Sequence, residues 1–152
     1  MILNAGDTIS GGEGKVTANI NGEIKDMFYI KKFEAKVDKQ KQEVRTLGHR
    51  GTQHKTTGWS GTGTMDIYYV TADFVRMARD YIKTGVDTYF TLTSENNDPT
   101  STIGKQVITI SRVNVDSITI SKLDVEDTVL DDSLDFTFED LDIIEEFGLP
   151  TA

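Results

Sequence analysis

The chain has no cysteine among its 152 residues. Disulfides, thiolate nucleophiles and thiolate-zinc centres are therefore excluded. Histidine is nearly absent as well: only His49 and His54 occur. They sit five apart in a polar stretch with no cysteine or nearby carboxylate to complete a ligand set, so they read as contact or solvent-facing residues and no metal is expected. No apolar run approaches the ~20 residues of a bilayer-spanning helix, so no membrane anchor is expected. The start, Met1-Ile2-Leu3-Asn4-Ala5-Gly6-Asp7, lacks the basic patch and apolar stretch of a secretion signal. No Asn-x-Ser/Thr sequon occurs. Basic residues are missing from the whole C-terminal portion after Lys122.

That last absence has a counterpart. Residues 31–58 carry eight Lys/Arg against three Asp/Glu, whereas eleven of the 25 acids follow Lys122. A net charge of −9 disfavours sequence-specific nucleic-acid binding. Its uneven placement fits either a solvated acidic tail or self-association, with the basic stretch of one copy near the acidic end of another.

The sequence carries no familiar catalytic pattern. Gly11-Gly12-Glu13-Gly14-Lys15-Val16 is not a phosphate loop, because Ile9 and Val16 stand where Gly and Ser/Thr are needed and no strand precedes it. No Ser lies in a Gly-x-Ser-x-Gly turn. Glu95–Asp98 and Asp131–Asp135 lack the twelve-residue calcium-loop pattern. No catalytic, cofactor-binding or metal-binding residue is assigned, and the chain is not expected to be an enzyme.

Periodicity predicts a mainly β (α+β) fold, a barrel or sandwich of about seven or eight strands with one flanking helix over about 71–84. A Gly-rich segment, 1–14, reads as a flexible arm. Val16, Ala18 and Ile20 alternate up to an Asn21-Gly22 turn, and 24–30 returns. A strand from Phe33 runs on through polar residues to Val44 and Leu47 and is expected to project. Residues 48–58 read as a projecting polar loop. The next strand puts Trp59, Gly61, Gly63, Met65, Ile67 and Tyr69 on one face, and its two glycines suggest that another backbone comes close. Thr71 is the expected N-cap and Gly85 the stop of the helix, with Phe74, Ala78, Tyr81 and Ile82 as its apolar stripe and Arg76–Asp80 as an exposed pair. Further strands are expected at 86–93, 105–115, 117–125 and about 133–138. The acidic C-terminal segment, 124–152, ends in a short helix or an arm. No linker divides the chain, so 1–152 is one domain.

The run Arg50-Gly51-Thr52-Gln53-His54-Lys55-Thr56-Thr57-Gly58-Trp59-Ser60-Gly61-Thr62-Gly63-Thr64-Met65-Asp66-Ile67-Tyr68-Tyr69 resembles the signature stretch of core tail tube proteins from PBSX-type prophages and related contractile-tailed phages. The likeness extends to Tyr81–Gly85, Asp98–Gln106 and Leu134–Phe138. The resemblance implies a structural subunit that self-assembles into stacked hexameric rings, forming the inner tube of a contractile tail that conducts DNA or punctures an envelope. Its implied partners are further copies of itself, the sheath, and baseplate and tape-measure proteins, with DNA passing through the lumen without specific binding. It implies a location in the virion tail after assembly in the host cytoplasm. The residues expected at contacts between rings or subunits are His49, Arg50, Gly51, Thr52, Gln53, His54, Lys55 and Trp59. A small β-sandwich binding module, for example one for carbohydrate, is the alternative.

Overall fold

Alternation of apolar and polar residues runs through most of the chain, and strands follow it. The computed structural model describes residues 2–126 and 129–149. Its elements are β1 (Gly14–Ile20), β2 (Glu23–Asp26), β3 (Ile30–Val44), β4 (Gln53–Tyr68), α1 (Asp73–Thr84), β5 (Phe90–Asn97), β6 (Lys105–Val115), β7 (Asp131–Phe138) and β8 (Asp140–Glu145). All strand pairs are antiparallel, in the order β2-β1-β5-β6-β7-β4-β3, with β8 added to β6.

Two hydrogen bonds show that this sheet is rolled. The Met27 amide donates to the Val16 carbonyl of β1 (3.0 Å), and the Tyr68 amide of β4 donates to the Tyr29 carbonyl (2.9 Å). Laid flat, β1 and β4 would lie four strand spacings apart, roughly 19 Å. Met27 and Tyr29 are only two residues apart, a reach of about 7 Å. The sheet therefore curls into a barrel, with the 27–30 crossing as its seam. Val16, Ala18, Met65, Ile67, Leu92, Val113, Leu134 and Phe136 fill one buried core, and Phe74 of α1 packs into it.

Curvature is localised at Arg112, which takes a left-handed φ of 58°. Here β6 changes partners, from β8 at Val107–Ser111 to β7 at Asn114–Val115, and its pairing with β5 shifts register. Such a bulge bends a strand. Arg112 Nε donates to Glu139 Oε2 (3.1 Å), and its guanidinium lies 4.1 Å from the Tyr89 ring centroid.

Several expectations change. The Asn21-Gly22 turn forms, with both residues at positive φ, but β2 stops at Asp26 because 27–30 makes the seam. The 117–125 segment forms no strand: it is a coil held to β7, Lys122 Nζ donating to the Asp131 carbonyl (2.6 Å) and Thr119 to Asp132 (3.1 Å). The strand expected at 86–93 starts at Phe90, since Val86–Tyr89 serve as the exit from α1. The C-terminal helix or arm is strand β8 over 140–145, drawn onto the free edge of β6; Pro150–Ala152 lie outside the described residues.

The helix starts at Asp73 with Ala72, and not the expected Thr71, as its N-cap; the Thr71 hydroxyl accepts from the Asp73 amide (3.2 Å), and the helix ends at Gly85 with φ 76°. Its stripe is only half used, because Phe74 is buried whereas Tyr81 and Ile82 are exposed. Arg76 pairs with Asp73 (2.8 Å) and not with Asp80. The expected flexible arm is tied down over residues 4–13. Asp98 accepts the Ser10 amide (2.9 Å), Asp7 accepts the Thr102 hydroxyl (2.6 Å), and the Asn97 amide reaches the Glu13 carbonyl (3.2 Å).

Candidate assembly interface

The residues assigned from sequence gather on a β-ribbon. β7 covers β4 only from Gly61 to Tyr68. Beyond Gly61, β4 continues for eight residues paired with β3 alone, which carries it about 26 Å past the barrel at strand rise. From Glu34 to Thr57 every residue is exposed. The expected loop at 48–58 is corrected accordingly: Gln53–Gly58 belong to β4, and the turn is 45–52. Polar residues at those positions did not prevent strand formation, because β3 and β4 satisfy one another's backbone groups.

The ribbon separates the assigned residues into two places. His49, Arg50, Gly51 and Thr52 form the tip, where His49 Nδ1 lies 2.9 Å from the Gly51 carbonyl oxygen. Gln53, His54 and Lys55 begin β4, opposite Val44, Glu43 and Gln42. Trp59 stands opposite Lys39 at the base, six residues or about 20 Å from Gln53. There β7 leaves β4 and β8 turns away to β6, so the strands fork. A cleft of about 580 Å³ opens in the fork, lined by Val37, Lys39, Thr56, Trp59, Asp140 and Leu141. Trp59 closes one wall, its ring 6.3 Å from that of Phe138.

The glycines below the fork serve side chains more than backbone. A Cβ on Gly61 would meet the Phe138 ring at 2.6 Å; on Gly63 it would strike the Phe136 ring and lie 2.6 Å from the Glu34 carbonyl. Phe136 and Phe138 lie directly across from Gly63 and Gly61, and Phe136 stacks on Phe33 (5.7 Å). The backbone approach expected from the sequence exists only at Gly63.

Leu47 was not among the residues assigned to the interface, although it is fully exposed at the tip; nor were Arg45 and Lys41. One leucine isolated in a polar run was the available signal. Between 38 and 58, five Lys/Arg and two Asp/Glu give +3, leaving −12 for the rest of the −9 chain.

At the opposite end of β3 and β4, Lys31 Nζ meets Asp131 Oδ2 at 2.8 Å and lies 5.2 Å from the Tyr68 ring. That hydrogen bond pushes the lysine up and holds the carboxyl below its ordinary value.

The structure is thus a rolled antiparallel barrel that extends a basic two-stranded ribbon past its end. The family model described as phage tail tube protein matches residues 1–145, and the chain belongs to that family. It is 47% identical over 148 residues to the phage-like element PBSX protein XkdM of Bacillus subtilis (strain 168), covering 97% of this chain and 98% of that one. A solved Bacillus subtilis protein, 46% identical, matches with a TM-score of 0.53 over 93% of this chain and 99% of its own. The fold also recurs in the sheath-tube complex of an extracellular contractile injection system: TM-score 0.68 at 9% identity, over 90% of each chain. The chain is thus a tail tube structural subunit and a virion tail component, which displaces the carbohydrate-binding alternative.

Proposed function

We propose that this subunit forms six-membered rings that stack head to tail into the inner tube of a contractile tail, with the ribbon of residues 38–60 as a contact between copies. The observation that carries this reading is the ribbon itself. A two-stranded hairpin is marginal at best in water, and among the described residues this one has both edges free and no core beneath it. Long free edges invite strand pairing and are normally guarded or covered. A neighbouring copy would cover these.

Sheath, baseplate and tape-measure proteins surround such a tube, DNA passes along it without being held, and assembly takes place in the host cytoplasm. The chain performs no catalysis. The likeness to a sheath-tube complex supports this reading through fold.

Replacing residues 41–57 by Asn-Gly joins Gln40 to Gly58, which already face each other, through a two-residue turn suited to hairpins. Circular dichroism should stay native, whereas electron microscopy should show no tubes. Full-length tubes from this variant would refute the role of the ribbon. Native mass spectra of rings released from tubes should give multiples of six.

A further inference from the structure

The ribbon's tip needs an acceptor, and the far pole of the same barrel has the complementary character. The 117–126 coil is fixed at the Tyr68 end of β4, where the Tyr69 hydroxyl donates to the Ile120 carbonyl (3.2 Å) and Lys122 is turned inward to Asp131. From Tyr68 to Gln53 is fifteen residues, about 50 Å of strand. Tip and coil therefore occupy opposite ends of one subunit and cannot meet within it.

Each end exposes what the other lacks. The coil presents Leu123 at 92% and Val125 at 96% exposure beside the half-exposed Ile120, with Asp124 and Glu126 between and after them. Lys122 is its one cation. The tip presents Leu47, fully exposed, among Arg45, Arg50 and Lys55. Neighbouring apolar side chains left bare on a monomer mark contact sites, and opposite charge fixes which surfaces meet and in what orientation. A basic tip at one pole and an acidic coil at the other define a heterologous contact, which propagates along an axis.

Resting on the reading of the ribbon as the inter-copy contact, we infer that the ribbon tip of one copy docks on the 120–126 coil of a second copy. Leu47 lies against Leu123 and Val125, and Arg50 and Lys55 face Asp124 and Glu126.

The absence of native cysteine makes the test clean. A Leu47→Cys/Leu123→Cys chain, assembled and then oxidised, should run as a ladder of linked subunits on a non-reducing gel. Each single variant should remain monomeric. An intrachain bond is excluded, because bridged Cα atoms lie within about 7 Å. Tubes of the double variant that show no ladder would overturn the inference. Charge reversal supplies a second readout. Arg50→Glu/Lys55→Glu alone and Asp124→Lys/Glu126→Lys alone should each abolish tubes, and the two sets combined in one chain should restore them. If the acidic-coil reversal assembles normally while the shortened ribbon does not, the acceptor is wrong and the ribbon reading stands. If the shortened ribbon also assembles, both fall. Failure of the combined chain to assemble counts against the acceptor.

Discussion

Gly63 and Asp98 show how single residues set this fold. Gly63 is not a flexible joint: its missing side chain is the space that the Phe136 ring occupies, against Phe33 and over the core. Gly63→Ala must push that ring or the Glu34 carbonyl aside. Overpacking of this kind costs about 1–3 kcal/mol, which urea unfolding should register as a lower midpoint at unchanged slope; an unchanged midpoint would show that the ring moves freely. Asp98 acts through charge. Its carboxylate accepts the Thr100 hydroxyl (2.7 Å) and the amides of Ser10 and Thr100, and these bonds hold its pKa below the ordinary 3.8. Asp7 is lowered likewise, first by the Thr102 hydroxyl and then by the Asn4 amide. A carboxyl depressed on folding contributes stability that is fully present above about 3.8 and is lost as pH falls through the lower folded value. The anchoring of residues 4–13 should therefore persist through neutral and mildly acidic pH and loosen below 3.8. Amide exchange at Ser10 followed against pH checks this, and Asp98→Asn should give the loosened rate at every pH.

At the scale of elements, the features written in local alternation were legible and those that depend on partners were not. Val16-x-Ala18-x-Ile20 before Asn-Gly and Leu134-x-Phe136-x-Phe138 each carry a period of two, and both became strands. α1 ended at Gly85 as its capping residue required. β8 was unreadable, since Asp140-Leu141-Asp142-Ile143-Ile144-Glu145 is an exposed strand whose existence depends on the open edge of β6. Residues 117–125 failed in the opposite sense: Ile118 and Ile120 alternate like a strand, but the segment pairs with none, and Lys122 and Thr119 tie it to β7 as coil. Of the candidate interface, the projection of residues 49–59 from the barrel was legible from their polarity. Its division into a tip and a Trp59 fork was not, because the division follows from where β7 ends. Ending the chain after Glu139 tests the view of β8 as a cover strand. It should lower the melting temperature by several degrees, at roughly 2–4 °C per kcal/mol for a domain of this size. It should also promote aggregation through the bared edge of β6. A truncated chain that melts and stays monomeric like the full one would show that β8 contributes nothing to the barrel.

Over the whole molecule, charge is unevenly divided. The ribbon segment 38–58 holds +3 and the remainder −12, so a ring of six would carry roughly −54 before counterions screen most of it. A passage for DNA must not bind what it conducts. Each Lys or Arg facing the bore would neutralise a phosphate and release counterions, a contact repeated at every ring. Like charge keeps a polyanion off the wall. Part of the basic complement is already occupied within the subunit: Lys31 by Asp131, Lys25 and Arg76 by Asp73, Lys105 by Glu145, Arg112 by Glu139. The cations at the ribbon's tip, Arg45, Arg50 and Lys55, are those the proposed stacking would consume. The bore of the assembled tube is therefore expected to be neutral or acidic. Purified tubes incubated with short duplex DNA at low salt should retain none on a sizing column. The shortened-ribbon subunit should also fail to retain it, since the segment removed is the basic one. Retention by wild-type tubes that falls linearly on a log–log plot against salt would reveal a basic wall and overturn the expectation, because the slope counts the phosphates held. Retention only by unassembled wild-type subunits would place the binding cations on the ribbon and leave the neutral bore intact.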